Sequence, residues 1–556
     1  MKRYKIVLIC FILLLTISLF SLVIYNKNNS NDGKKNDTTT DINYSSGDYN
    51  VDFSNYQTYD VNLSDVSNVF NITKDGVYNL NGNLNGYINI NTSGYVKIIL
   101  NEVNINSSNS PCIYVENSKG TYIELEKEST LKDTSTYTGF DTEVDGAIYS
   151  KDDLIFLGEG TLNISANNQD GIVSKDNTVI KSGNLNITSV DDAIRGKDSV
   201  IILNGNITIN AGGDGIKSSE STNGTKGDIL IENGTINITS ALDSLQASNN
   251  IKISGGSFTI ETGKGSTITS TSSSWNMTEG NSSKTDKSIK GIKATNNIEI
   301  SNATISLNTQ DDAIHSNNEV VINSGTLTIL SGDDGIHADS KITINNGIIS
   351  INQSYEGIEA NNITINNGQI NVKSSDDGIN VSGGNDNSAQ NRPGQNNYST
   401  TDSNILLTIN GGIIKVVSQG DGLDSNGSIL MNGGEVYVDG PTENNNGALD
   451  YNNNFNISGG TLIAVGSSGM AQAISSTSTQ YGVLINLTSA KNAGTNINIE
   501  SVINYTPSKS FQSIVISTPS LKKSSSYNLL LNNSSYTTFA ISSILTTVGN
   551  SSRNWR

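Results

Sequence analysis

The sequence predicts an all-β solenoid, a parallel β-helix of about 22 residues per coil, and three observations predict it. Four words, TQDDAIHS, SGDDGIHA, SYEGIEA and SSDDGIN, recur within residues 309–380, and their central isoleucines Ile314, Ile336, Ile358 and Ile379 are spaced by 22, 22 and 21 residues. Between the words run short apolar alternations of period two, such as Lys341-Ile342-Thr343-Ile344 and Gly347-Ile348-Ile349-Ser350-Ile351, separated by Asn-Gly or Gly-rich corners. The composition agrees: five prolines against 53 glycines leave backbone N–H groups free for strand ladders, and 34% hydrophobic content suits a coil in which alternate residues point inward. Three short strands cannot bury an apolar face alone, so each coil must stack on the next.

In chain order, Met1-Lys2-Arg3-Tyr4-Lys5 and the apolar run after it make residues 1–25 a signal peptide or, since the run is long enough to span a bilayer, a membrane anchor. Either reading means export. Residues 26–54, rich in Asn, Asp, Ser and Thr, form a flexible polar linker. Residues 55–480 are the β-helix, opening with less regular coils (GVYNLNG, GYININ, YVKIIL, TYIELE) of the kind that cap solenoids. The regular part has an inward aliphatic column of Ile148, Ile172, Ile194, Ile216, Leu245, Ile292, Ile314, Ile336, Ile358, Ile379, Leu423, Leu449 and Ile474. The steps from Leu245 to Ile292 and from Ile379 to Leu423 are too long, and the excess falls in polar segments 266–288 and 382–403. With the smaller SSESTNGTKG insertion after Lys217, these loops point to one edge, where binding determinants concentrate on a rigid scaffold. The rhythm stops in residues 481–556, which are expected to form a small β cap over the open end.

Charge and cysteine content exclude several classes. A formal net charge of −19 argues against a nucleic-acid partner, which needs a basic face. Two cysteines, Cys10 in the apolar run and Cys112 in SPCIYV, make no disulfide framework, and Cys112 is expected to pack inward.

The chemistry lies in two further columns. Two residues before the buried aliphatic stand Asp170, Asp192, Asp214, Asp243, Asp312, Asp334, Glu356, Asp377 and Asp421, several doubled by Asp191, Asp311, Asp333 and Asp376. Coils in register place these carboxylates about 5 Å apart, where two charges repel by roughly 3.5 kcal/mol at an effective dielectric near 20. They must take up protons, pair with cations of the chain, or bind metal, and carboxylates with corner carbonyls suit Ca²⁺. The plainer reading is that Asp-Asp and Asp-Gly build tight turns, the side chain capping nearby N–H groups. One residue after the aliphatic comes an outward column, Arg195, Lys217, Gln246, Lys293, His315, His337, Glu359, Asn380, Asp424 and Asp450, basic in its first half and acidic in its second. It reads as a sugar-contacting face or as charge compensation of the acids, and His315 with His337 as a weak transition-metal pair. Tryptophan is scarce, so Trp275, Trp555, Tyr355 and Tyr398 are the aromatic candidates for sugar stacking.

The DDAIHS/DDGIHA words, the opening GVYNLNGNLNGYININ…VKIILNEVNI…CIYVENS and the ending IVISTPSLKKSSSYNLLL together resemble a clostridial family of secreted carbohydrate-binding proteins, over about residues 65–550. The resemblance implies a right-handed parallel β-helix similar to pectate lyases, a bacterial extracellular location, binding of cellulose or polygalacturonate, and calcium at the aspartate-rich turns. Carried onto this chain it implies Ca²⁺ at Asp191/Asp192, Asp311/Asp312, Asp333/Asp334 and Asp376/Asp377, with Asp214, Glu356 and Asp421 as further ligands in the column. Lys290, Gly447 and Gln472 depart from the pattern. Sugar contacts are expected from Arg195, Lys217, Lys293, His315, His337 and Tyr355. Two other functions stay open: a calcium-dependent uronate lyase with Lys217, Lys293 or Arg195 as base, and a structural adhesin or spacer.

Overall fold

A computed structural model describes residues 49–267, 287–382 and 405–549. The chain divides into two compact units, Met1–Asp52 and Phe53–Arg556. Of the first, residues 49–52 are described and hold no strand. The predicted signal or anchor segment, most of the linker, Trp275, Tyr398 and Trp555 lie outside the described residues, among which no helix is long and apolar enough to cross a membrane.

The second unit is a parallel β-helix. Each coil contributes one strand to each of three parallel sheets, and each strand pairs with its counterpart one coil later. Ile194–Gly196, Ser199–Ile202 and Asn206–Ala211 make one coil. They pair with Ile216–Ser218, Asp228–Ile231 and Thr235–Ser240 of the next. The only helical residues among those described are the turn Leu63–Asp65.

The predicted aliphatic column stands in register from Ile148 through Ile172, Ile194, Ile216, Leu245, Ile292, Ile314, Ile336, Ile358, Ile379 and Leu423 to Leu449. All are essentially buried, as is Ile474. Burying such a side chain stabilises a fold by about 1.5–3 kcal/mol, so the column is the apolar spine of the stack. It continues towards the N-terminus through Ile113 and Ile88 to Phe70, in coils that lack the acidic word. Leu245 pairs directly with Ile292, and Ile379 with Leu423. The two long insertions therefore leave the coil without shifting its register.

Outside the core, the corner after the second sheet is held by an asparagine ladder. Asn345, Asn366, Asn410 and Asn432 each donate from Nδ2 to the Oδ1 of Asn323, Asn345, Asn366 and Asn410 at 2.8–2.9 Å. The following glycines, including Gly347, Gly368 and Gly412, have positive φ, and a Cβ on any of them would press on the backbone of the coil before. That corner thus fixes the Asn-Gly signature.

After Thr461–Gly466 the coil-to-coil parallel pairing ends, although Gly482–Lys491 still pairs in parallel with Leu545–Val548. Phe511–Ser517 runs antiparallel to Thr461–Gly466 and to Gly482–Lys491, occupying the edge that another coil would take. A separate four-stranded sheet, Ile497–Ile499, Ile503–Tyr505, Ser526–Leu531 and Ser534–Ala540, shares an apolar cluster with the end of the large sheet, Ile499 and Leu529 from the one beside Val465, Ile485 and Ile514 from the other. Buried Asp439 ties this segment to the last coils, accepting from Tyr505 Oη at 2.7 Å and from Ser508 N and Oγ at 2.7 and 2.6 Å. Cys112 is buried and unpaired.

Candidate functional site

The acid column caps the coil above it rather than its own turn. One carboxylate oxygen of each aspartate in the column accepts the backbone N–H of the column residue on the next coil. Asp170 accepts from Asp192 at 3.0 Å, Asp192 from Asp214 at 2.9 Å, Asp214 from Asp243 at 3.0 Å, and Asp312 from Asp334 at 3.1 Å. Asp377 accepts from Asp421, and Asp421 from Gly447, both at 2.5 Å. The second oxygen of each acid faces the outward column, and what it meets there changes along the stack.

In the first coils it meets a cation of the chain. Arg195 lies 2.8 Å from Asp170 and 2.6 Å from Asp145. Lys217 Nζ lies 2.7 Å from Asp214 and 3.2 Å from Asp192, and Lys293 lies 3.5 Å from Asp243. Against the cost of burial, Asp214 and Asp192 push the Lys217 amine well above the ordinary lysine range, so it is held protonated. At Asp192 and Asp214, two of the positions where metal was expected, the second oxygens face the Lys217 ammonium. Lys290, read from the sequence as a missing acid, is itself a counter-ion: its buried amine reaches Asp312 at 2.5 Å and Asp311 at 3.2 Å. Asp312 is buried, yet Lys290 and His315 hold its carboxyl well below the usual range. Asp333 joins Asp311 and Asp312 in one cluster of oxygens, with Lys290 beside it.

In the middle coils the partner is histidine. His315 Nδ1 lies 2.8 Å from Asp312, and His337 Nδ1 lies 3.1 Å from Asp334 and 2.9 Å from Glu359, with the two rings stacked. His337 is fully buried and His315 is 7% exposed, so both are off the sugar-contacting face expected of them: the acids around them turn the rings inward. Tyr355 is half-buried and hydrogen-bonded to Asp376, which with desolvation raises its phenol. Glu356 accepts from Asn380 Nδ2 at 2.7 Å, and burial raises its carboxyl far above the usual range.

In the last coils, Asp377, Asp421 and Asp424 have no basic partner among the described residues, which do not include Arg392. Asp377, Asp421 and Asp424 bring three carboxylate oxygens within 4.8 Å of one another, and all three side chains are partly open to solvent. Burial, then Asp376, Asp424 and Asp421, push Asp377 up to about 9. Burial, then Asp421 and Asp450, push Asp424 up to about 7, and burial and Asp450 push Asp421 up to about 6. Asn380, in register with Asp424, is 5% exposed and its Oδ1 is buried without a hydrogen-bond donor. Its Nδ2 is already given to Glu356, so that carbonyl is a neutral oxygen left over beside the triad. The missing side chain of Gly420 makes the space: a Cβ there would lie 2.3 Å from an oxygen of both Asp376 and Asp377. Hard oxygens, surplus negative charge and an orphaned carbonyl fit Ca²⁺ better here than at any earlier rung.

Sequence reasoning put Asp376, Asp377 and Asp421 in its candidate metal set but did not include Asp424 or Asn380, which the fold brings alongside. The signal was present in the outward column, whose second half carries no lysine or arginine. Asp145 was also missed, because Gly146 holds the position where the acid was sought.

A family model described as carbohydrate-binding domain-containing protein matches residues 67–335 and 333–378, more than half of the chain, and the chain belongs to that family. A protein of Acetivibrio thermocellus with the same description is 31% identical over 124 residues, 21% of this chain, and the chain spans 43% of that relative's length. Among solved structures, a polysaccharide lyase-like protein from C. thermocellum, in a gadolinium derivative, is 30% identical, with a TM-score of 0.34 over 35% of this chain and 82% of that one.

Proposed function

We propose that this chain is an exported polysaccharide-binding protein that grips an acidic pectic polymer through Ca²⁺ held by Asp377, Asp421 and Asp424. The observation that carries the reading is the change of partner along one column: arginine and lysine, then histidine, then no cation among the described residues. An ion at the last rungs replaces the repulsion of three carboxylates by attraction. Because those side chains reach solvent, the ion keeps coordination positions open for a uronate carboxylate. Asp376 and the Asn380 carbonyl complete the oxygen set.

Cellulose is the weaker ligand on this account. Flat glucan surfaces are bound by exposed aromatic faces, and no aromatic side chain among the described residues is exposed. A lyase would need an unprotonated base, whereas Lys217 is locked between two aspartates and Arg195 between two others. The test is retention on insoluble polygalacturonate and on cellulose, with calcium and with chelator. Retention on polygalacturonate that chelator releases, and that Asp424→Asn abolishes, is the expected result. Failure to bind either polymer would leave only the spacer reading, and unsaturated products absorbing in the ultraviolet would establish the lyase.

A further inference from the structure

We propose a second, chemically different metal site in the middle of the stack: Asp334, His337 and Glu359 bind a first-row transition ion, Zn²⁺ in the first instance, through His337 Nδ1 and one oxygen of each carboxylate. The site does not depend on the calcium reading, since none of its three ligands belongs to the triad of the last coils.

His337 Nδ1 carries at most one hydrogen, yet it faces two carboxylate oxygens at once, Asp334 Oδ2 at 3.1 Å and Glu359 Oε2 at 2.9 Å. The two carboxyls also bring ligand atoms within 4.8 Å of each other, and like charges held that close take up protons. A single divalent ion in the place of those protons satisfies all three atoms. Zinc bonds of about 2.0–2.2 Å put tetrahedral ligands roughly 3.3 Å apart, so the two separations from Nδ1 need widen by only a few tenths of an ångström. The three ligand atoms already lie within 4.8 Å of one another.

The ring is prepared on its far side as well. His337 Nε2 lies 3.2 Å from Asp339 Oδ1, and the side chain is fully buried, so the imidazole cannot turn away. A carboxylate that takes the distal N–H of a histidine fixes the tautomer and leaves the other nitrogen's lone pair for a metal. The nitrogen ligand sets the class of ion: imidazole suits zinc and its neighbours, whereas Ca²⁺ takes oxygens. His315, stacked 4.8 Å away, is not part of the set. Its Nδ1 faces Asp312, which already receives the Lys290 ammonium. The ion would join the coil of Ile336 to the coil of Ile358, next to the long insertions.

The chain has only two histidines, which makes the test direct. The full chain, prepared without a polyhistidine tag and with ¹⁵N in its imidazoles, is treated with chelator, freed of it, and titrated with Zn²⁺. The expected result is one ion per chain, with Nδ1 of one ring moving to a metal-bound position, its Nε2 staying protonated, and the other ring unshifted. Co²⁺ should give the visible absorption of a four- or five-coordinate site, absent from His337→Gln. Asp339→Asn should weaken Zn²⁺ by about 10–100-fold, the usual effect of removing a supporting carboxylate. Both rings unchanged in excess Zn²⁺ would mean the cluster holds protons only and would overturn the proposal, whether or not the variants fold. Equal Zn²⁺ binding by His337→Gln and the unmodified chain would overturn it too.

Discussion

Asp424→Asn should stabilise the metal-free fold and blunt its response to calcium. The three oxygens of Asp377, Asp421 and Asp424 lie within 4.8 Å of one another. At an effective dielectric near 20, each ionised pair at that distance repels by roughly 3.5 kcal/mol, so full ionisation of the triad would cost about 10 kcal/mol. The metal-free protein avoids this by holding protons. Asp424 is moved from 3.8 to about 7. At about 1.36 kcal/mol per pH unit, ionising it at pH 8 costs the fold about 4 kcal/mol at most. Asparagine removes that charge, so in chelator the variant should be more stable than the parent by about 2–4 kcal/mol. In calcium that advantage shrinks. A site with Kd on the order of 10⁻⁴ M gains about 2.7 kcal/mol at a hundredfold excess of ion, and the variant, lacking one charged ligand, should gain under about 1 kcal/mol. Long stacks open locally, so the assay is hydrogen exchange of peptides covering residues 376–425, at pH 8, with calcium and with chelator. An equal calcium response in both proteins would refute the reasoning, as would a variant less protected than the parent in chelator.

Other outcomes follow from the same geometry. In chelator, protection of residues 376–425 should fall as pH rises from about 4 to 9, after correction for intrinsic exchange. Asp421, Asp424 and Asp377 titrate at about 6, 7 and 9 in the fold, above an ordinary carboxylate, so their stability is present at low pH and lost through those values. Lys290→Met should destabilise its coils by about 3–5 kcal/mol, the consequence of leaving the Asp312 carboxylate buried without its cation, and calcium should restore part of the loss, seen as calcium-dependent urea midpoints. Ile336→Ala, in the middle of the spine, should cost about 2–5 kcal/mol in urea unfolding. Asp439→Ala should leave the coils intact but speed hydrogen exchange in Phe511–Ser517, because the carboxylate that takes three hydrogen bonds from the terminal segment is gone.

The spine was legible because a side-chain period of two admits one stacking register, and a slip by one residue would turn every isoleucine outward. That is why even Leu245 and Ile292, separated by a long polar insertion, could be paired from the sequence. Phe70, Ile88 and Ile113 were not assigned to the same column, since their coils carry no acidic word to mark the corner. The position of the acids was legible too, but not the identity of their counter-ions. Spacing puts Lys290 in the acid column, and only the fold shows its amine reaching Asp312 on the next coil. Likewise, spacing makes His337 an outward residue, whereas its ring is closed in among Asp334, Asp339 and Glu359. Side-chain direction along the stack is a property of neighbouring coils, which a linear pattern does not contain.

The central claim is that the uncompensated end of the acid column holds a divalent ion. Metal analysis of the full chain after equilibration with calcium tests it most directly, read against Asp377→Asn and Asp424→Asn. At least one bound Ca²⁺ per chain, lost in both variants, is the predicted result. A chain that retains no calcium, or retains the same amount in both variants, would contradict it.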